Sequence, residues 1–370
     1  MKSKKFITVW DYREEYKNLR TKILEKVDKV SKSGTLILGN EVKNFENNFS
    51  RYVDCKYGVG VNSGTDALLI AIMSLGLKAG DEILTVSNTA VPTVSAIVSA
   101  GCKPVFVDIN ENDYLIDVNL IKKKITSRTK AIIIVNLYGQ VPNFKEILKI
   151  VRSKNLKIIE DCAQSTGSYF ENKHSGSFGD ISAFSFYPTK NLGGYGDGGM
   201  IVTNNAYYYK KSLMLRKYGM KKLYYSEMHG INSRLDEVQA SIINLKLTQL
   251  EKQINKRRAI AKKYNKYIKN LDIILPKEFT GRYHSYYVYV VRHFKREKIM
   301  NYLKKNGVFC NISYPSPIHL MRGYKYLGYK KGDLPVTEKL SKEIFSLPMY
   351  PGLNDSQVNK IIRLINNFIL

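Results

Sequence analysis

The sequence predicts an α/β fold: a large domain with a seven-stranded, mostly parallel sheet covered by helices, followed by a smaller C-terminal α+β domain. Three observations predict it. At 370 residues the chain exceeds what one hydrophobic core usually serves. From about Val59 onward, short apolar runs alternate with helical periods, the pattern of a parallel sheet with helices on both faces. After Asn232 that alternation gives way to a long charged helical stretch.

Expected strands lie at 57–61, 82–86, 103–107, 131–135, 157–160, 181–185 and 200–203. Between them, helices are expected to begin near Thr65, Ala90, Asn119, Asn143 and Ala206, with Asn143 as a cap after Pro142. A charged helix over 235–270 connects to a strand over 286–292 and to a final helix running from Asp355 to the end. The division is placed at 1–250 for the large domain and 251–370 for the small one. No fixed-period repeat interrupts the chain, which argues against a solenoid.

Composition narrows the class. The chain is 44% hydrophobic and 25% charged, as ordinary folded proteins are. Its net charge of +27 suggests an anionic partner. The excess is spread over Lys122 to Lys124, Lys210 and Lys211, Lys256 to Arg258, and Lys262 and Lys263, with no basic tail. A lysine-rich solvated surface or a phosphorylated small substrate fits that spread better than nucleic acid. Cys55, Cys102, Cys162 and Cys310 form no C-x-x-C pair, so neither a zinc ribbon nor a disulfide framework is expected. The basic, interrupted segment Met1 to Glu14 is too short in its apolar part for a secretory signal, and no apolar stretch is long enough to span a membrane. A soluble, cytoplasmic protein is expected, with no nucleic-acid or membrane partner and no metal.

The chemistry is concentrated in two segments. Asp161 ends an apolar strand, in Glu160-Asp161-Cys162-Ala163-Gln164, where ligands bind in open α/β sheets. Lys190 follows the next expected strand, in Ser185-Phe186-Tyr187-Pro188-Thr189-Lys190-Asn191-Leu192-Gly193-Gly194. Most lysines are surface groups. This one sits in an apolar, glycine-rich turn, where partial loss of water makes its amine usable as a nucleophile and proton shuttle. A lysine that can hold an aldehyde as a Schiff base, and an acid that can keep a pyridine nitrogen protonated, are what pyridoxal 5'-phosphate requires. Asn62-Ser63-Gly64-Thr65-Asp66 leaves a strand and opens a helix. Its backbone N–H groups and the hydroxyls of Ser63 and Thr65 suit a phosphate. Taken alone, the same turn reads as an ordinary helix start capped by Thr65. Ser185 is placed to meet the same phosphate, and Gln164 to donate to the ring's phenolic oxygen. Gly194-x-Gly196-x-x-Gly199 satisfies a dinucleotide-binding spacing, but Met200 to Thr203 reads as a strand after the glycines where that motif needs a helix.

Taken together, these segments resemble the nucleotide-linked deoxysugar aminotransferases, a branch of the aspartate aminotransferase fold type I of pyridoxal phosphate enzymes. Further segments carry the resemblance: Asn62 to Leu68, Gly230-Ile231-Asn232-Ser233-Arg234-Leu235-Asp236 and Ser346-Leu347-Pro348-Met349-Tyr350-Pro351. It covers nearly the full length. The resemblance implies that Lys190 and Asp161 are catalytic, and that Ser63, Gly64, Thr65, Gln164, Ser185 and Asn232 bind the cofactor. Asn232 is implied to reach across from the neighbouring subunit of a homodimer with shared active sites. Read from this sequence alone, Asn232 is a helix cap before Leu235. The implied substrates are L-glutamate and a nucleotide sugar.

Ser87-Asn88-Thr89-Ala90-Val91-Pro92-Thr93-Val94 resembles the subgroup that aminates carbon 3 of a dTDP-linked 3-keto-6-deoxyhexose. Relatives acting on carbon 4 often carry an aromatic where Ala90 stands. At Ile312-Ser313-Tyr314-Pro315 the chain lacks a His that relatives often place before the Tyr. Tyr187, Lys222 and Tyr314 are the expected sugar-nucleotide contacts, with ordinary surface roles equally open for Tyr314 and Lys222. Two rivals remain. A sugar 3-dehydratase on the same scaffold is disfavoured by Lys190, because such relatives carry histidine there. A regulatory or nucleic-acid-binding protein with a vestigial cofactor site would exploit the positive charge.

Overall fold

A computed structural model describes residues 6–369. Residues 1–5, with Lys2, Lys4 and Lys5 of the amino-terminal segment, and Leu370, the expected end of the final helix, lie outside the described residues; the described helix ends at Asn366.

Seven strands form the main sheet: β1 (Tyr57–Val61), β2 (Glu82–Val86), β3 (Lys103–Val107), β4 (Thr129–Val135), β5 (Lys157–Asp161), β6 (Ile181–Ser185) and β7 (Gly199–Thr203). Their spatial order is β1-β7-β6-β5-β4-β2-β3. β7 pairs antiparallel with both neighbours, and every other pairing is parallel. The expected mostly parallel sheet is therefore present. β2, β6 and β7 are buried at every residue, as strands covered on both faces must be.

Alternation assigns the two faces. In β7, Ile201 packs into one hydrophobic cluster while Met200 and Val202 pack into another on the opposite face. The first cluster is covered by helices Gly64–Leu75, Val91–Ser99 and Phe144–Ser153. Helices Asn40–Tyr52 and Glu237–Leu247 supply Val42, Phe45, Phe49, Ala240 and Ile243 to the second. The buried carboxylate of Glu237 accepts backbone N–H bonds from Gly39, Glu41 and Val42 at 2.8–2.9 Å. It caps one helix from the start of the other.

A third cluster is built from Tyr264, Tyr289, Val291, Leu303, Phe345, Leu347, Ile361 and Ile365, and it draws in Ile7 from the amino-terminal segment. Here strand Tyr289–Arg292 pairs antiparallel with Ile344–Leu347, flanked by helices Leu250–Tyr267, Arg296–Lys305 and Asp355–Asn366. Asp108, just past β3, holds this region to the sheet: its carboxylate accepts from the Val336 and Thr337 amides and from the Thr337 hydroxyl.

Several local expectations are corrected. The single helix expected over 235–270 is two, Glu237–Leu247 and Leu250–Tyr267, broken at Thr248 and Gln249. The first packs under the main sheet, and the second adds Leu250 and Ile254 there before giving Ile260, Ala261 and Tyr264 to the other core. Ser63, not Thr65, caps the helix after β1, accepting from the Asp66 N–H at 3.1 Å. Asn143 occupies its cap position but donates its amide to Glu146 instead of accepting a backbone N–H. Asn232 is not a cap: the following helix has Asp236 at its N-cap, and Asn232 forms a bridge with Lys217.

Candidate active site

The site grows from the carboxyl ends of β5 and β6, neighbours in register with Asp161 opposite Ala183. Successive side chains of β5 point to opposite faces. The fully buried Glu160 carboxylate accepts N–H bonds from Gly176, Phe178 and Gly179 and from the Asn136 amide, at 2.7–3.0 Å. It closes the loop before β6. Asp161 accepts from the Thr93 hydroxyl at 2.7 Å and from the Ala163 N–H at 3.1 Å. Burial raises its carboxyl above the usual range, opposed by those two bonds and by the positive charge of Lys190. No Lys, Arg or His pairs with Asp161 within 4 Å among the described residues. A buried carboxylate in that position is suited to a cationic ring nitrogen.

Lys190 is held by its neighbours. Its amide donates to the Tyr187 carbonyl at 2.9 Å. The turn is tight enough that a Cβ on Gly193 would lie 2.3 Å from the Pro188 oxygen. On one side Asn191 donates to the Thr166 carbonyl and the Ser285 hydroxyl, both at 3.1 Å. On the other, the Thr189 hydroxyl lies 3.2 Å from that of Tyr287. The Lys190 amine itself rests 4.8 Å from the centre of the Tyr287 ring, within range of a cation–π contact.

The residues expected to seat a phosphate meet where the helix after β1 approaches the end of β6. A Cβ on Gly64 would fall 2.7 Å from Ser185 Cβ, so only glycine lets the two segments approach this closely. The first N–H groups of that helix, at Gly64 and Thr65, point out of its start, where an anion is favoured. Ser233 fixes the turn by accepting from the Asn62 N–H and donating to Asp66. The amide of Gln164 bridges two tyrosines: its oxygen accepts from the Tyr138 N–H at 2.8 Å, and its NH2 donates to the Tyr314 hydroxyl. Tyr138 has a φ of 64°. Positive φ in a bulky residue is strained, and such strain gathers at functional sites.

Lys190, Asp161, Ser63, Gly64, Thr65, Ser185, Gln164 and Tyr314 thus lie around one region at the ends of β1, β5 and β6. Tyr187 is 51% exposed beside it. Lys222 and Asn232 are also exposed, Lys222 on the hairpin Met220–Lys222/Tyr225–Ser226, and neither makes a described contact with Lys190 or Asp161. Sequence reasoning missed Thr93 and Tyr287. Thr93 had a signal, its i,i+4 spacing from Thr89, whose hydroxyl meets it at 2.9 Å. Tyr287 had none, being one tyrosine among Tyr283, Tyr286 and Tyr289. Among the described residues no group of three or more His, Cys, Asp or Glu is arranged to hold a metal, and no helix is long and apolar enough to cross a membrane.

An amine, an unpaired buried carboxylate and a glycine-lined anion seat in one region form a donor set that fits pyridoxal phosphate.

The chain is 46% identical over 367 residues to a dTDP-3-amino-3,4,6-trideoxy-alpha-D-glucose transaminase of Micromonospora megalomicea subsp. nigra, covering 98% of each. It is 39% identical to a pleiotropic regulatory protein of Geobacillus stearothermophilus, again covering 98% of each. Its fold matches the crystal structure of S. venezuelae DesV in complex with a ketimine intermediate, with a TM-score of 0.95, 34% identity and 98% of each chain covered. A family description matches residues 17–366, and the chain belongs to the DegT/DnrJ/EryC1/StrS aminotransferase family.

Proposed function

We propose that the protein transfers the amino group of L-glutamate to carbon 3 of a dTDP-linked keto-6-deoxyhexose, using pyridoxal 5'-phosphate held between Lys190 and Asp161. The observation that carries this reading is the buried Asp161 carboxylate at the end of β5, in no ion pair among the described residues, with the Lys190 amine near enough for its charge to act on it. The substrate follows from the 46% identical relative, whose own name specifies a dTDP-3-amino sugar.

When bound, the cofactor supplies an electron sink for the pair left on carbon as a proton departs. Asp161 holds a proton at the ring nitrogen, and Thr93 keeps that carboxylate oriented and ionised. The free Lys190 amine takes the proton from the donor's α-carbon as a base and returns it elsewhere as an acid. Gly64, Thr65 and Ser185, with Ser63 shaping the turn, grip the phosphate, so that proton transfer occurs in one orientation. Gln164 contacts the phenolic oxygen. Asn232 completes the phosphate seat of a second copy in a homodimer, consistent with its exposure. Tyr187, Tyr314 and Lys222 contact the sugar nucleotide, Lys222 from the exposed hairpin.

The experiment is incubation of purified enzyme with glutamate and a panel of keto sugars carrying dTDP, UDP or GDP, with the aminated carbon located by NMR. Amination at carbon 3 of the dTDP sugar is expected. Amination at carbon 4, or of a UDP or GDP sugar alone, would replace the substrate assignment. The name of the 39% identical regulatory relative favours a second reading. DNA binding at physiological salt by a colourless protein would select it.

A further inference from the structure

Arg257, on helix Leu250–Tyr267, is 4% exposed. One nitrogen, Nη1, makes all of its bonds: to the carbonyls of Met349 at 2.8 Å, Tyr287 at 3.1 Å and Tyr286 at 3.5 Å. All three acceptors are neutral. Nε and Nη2 donate to nothing among the described residues, and neither is sealed from solvent. A buried cation served only by carbonyls is costly, and burial lowers its pKa to about 10.

Those two idle donors are on a guanidinium that lines a cavity shared with Lys190, Trp10, Glu15, Lys246 and Pro351. The cavity measures 60 Å³, several times the roughly 10–15 Å³ that one water needs. Tyr287 links the two cations, accepting from Arg257 at its carbonyl and lying under the Lys190 amine with its ring. Glu15, the carboxylate whose charge acts on Arg257, is already engaged by Lys246 at 2.6 Å. The Nε/Nη2 edge of a guanidinium is a planar fork matched to both oxygens of a carboxylate.

We propose that the free edge of Arg257 receives a carboxylate of the amino donor in the cavity it shares with Lys190. This rests on the reading of Lys190 as the amine that engages the cofactor. A carboxylate fits better than the sugar diphosphate because the fork is singular and planar, and the donor must reach Lys190 with its own amine.

The test uses the cofactor-loaded enzyme without sugar, following loss of the visible cofactor band on adding L-glutamate, with dTDP binding measured separately by calorimetry. Arg257→Lys keeps the cation and a carbonyl bond but cannot present the fork. It is expected to raise the half-saturating glutamate concentration at least tenfold and leave dTDP affinity within twofold. Glu15→Gln, which removes the competing negative charge and leaves the carbonyl clamp intact, is expected to lower that concentration two- to fivefold, and it decides the matter if Arg257→Lys does not fold. Weakened dTDP binding with unchanged glutamate response would reassign the edge to the diphosphate. No change in either ligand would overturn the site. A wild-type band that glutamate never bleaches would instead count against the aminotransfer reading itself.

Discussion

Thr93 donates its hydroxyl to Asp161 at 2.7 Å from the first turn of the helix Val91–Ser99, and both residues are buried. The bond joins two segments far apart in sequence, and it is one of two hydrogen bonds that favour the ionised carboxylate against burial. A hydrogen bond to a charged group contributes about 1.5–3 kcal/mol. Thr93→Val is therefore expected to weaken cofactor binding roughly 10–100-fold, and Thr93→Ser to restore most of it. Titration of apoenzyme with cofactor, read by absorbance, checks both. Equal affinity for Val and wild type would leave Thr93 a packing residue.

Asp161 is expected to separate stability from function. Because burial raises its carboxyl, the folded apoprotein binds that proton more tightly than the unfolded chain does. Stability therefore falls as pH rises through the folded value. Asp161→Asn removes that penalty, so the apo variant is expected to melt at or above the wild-type temperature at neutral pH. Turnover is expected to fall by roughly 10²–10⁴, and the added melting temperature on cofactor binding to shrink. Near-normal turnover contradicts the assigned role.

Tyr287 positions the Lys190 amine through its ring and meets Thr189 through its hydroxyl. A cation–π contact of about 0.5–2 kcal/mol corresponds to a loss of roughly 2–30-fold in kcat for Tyr287→Leu. Cofactor content is expected to stay unchanged. Tyr287→Phe keeps the ring and is expected to stay within twofold of wild type. Equal losses in the two variants assign the effect to the hydroxyl.

His284 predicts acid sensitivity. It is fully buried, stacks on Tyr286 at 3.9 Å, and accepts the Tyr286 N–H at its Nδ1. Burial, then the nearby charge of Arg258, depress its pKa from 6.5 to about 3. Between those values the unfolded chain takes a proton that the folded chain refuses. Stability from this group is complete above pH 6.5 and is lost as pH falls toward 3, at up to about 1.4 kcal/mol per pH unit. Urea unfolding from pH 7 to pH 5 is expected to show a shallower decline for His284→Gln than for wild type.

The sheet was legible because each strand is a short apolar run between turn residues. β1, β2, β3 and β6 have the bounds that their sequences suggest, and β7 begins one residue earlier, at Gly199. The break at Thr248 was not legible, since charged helical residues continue on both sides of it and only tertiary packing separates them. At the site, Asp161 and Gly64 stand out in the sequence because one ends a strand and the other starts a helix, and Lys190 because it sits in an apolar, glycine-rich turn. Thr93, Tyr287 and Arg257 act through contacts with segments 68, 98 and 92 residues away in sequence, and no local pattern carries such pairings.

The central claim is a covalent one, between the amine of Lys190 and the cofactor. Borohydride reduction of the yellow holoenzyme, followed by digestion and mass mapping, tests it directly. The account predicts one phosphopyridoxyl group per chain, on the peptide containing Lys190, and none in Lys190→Ala. A modified lysine elsewhere, or an unmodified Lys190 in protein that retains its cofactor, would contradict it.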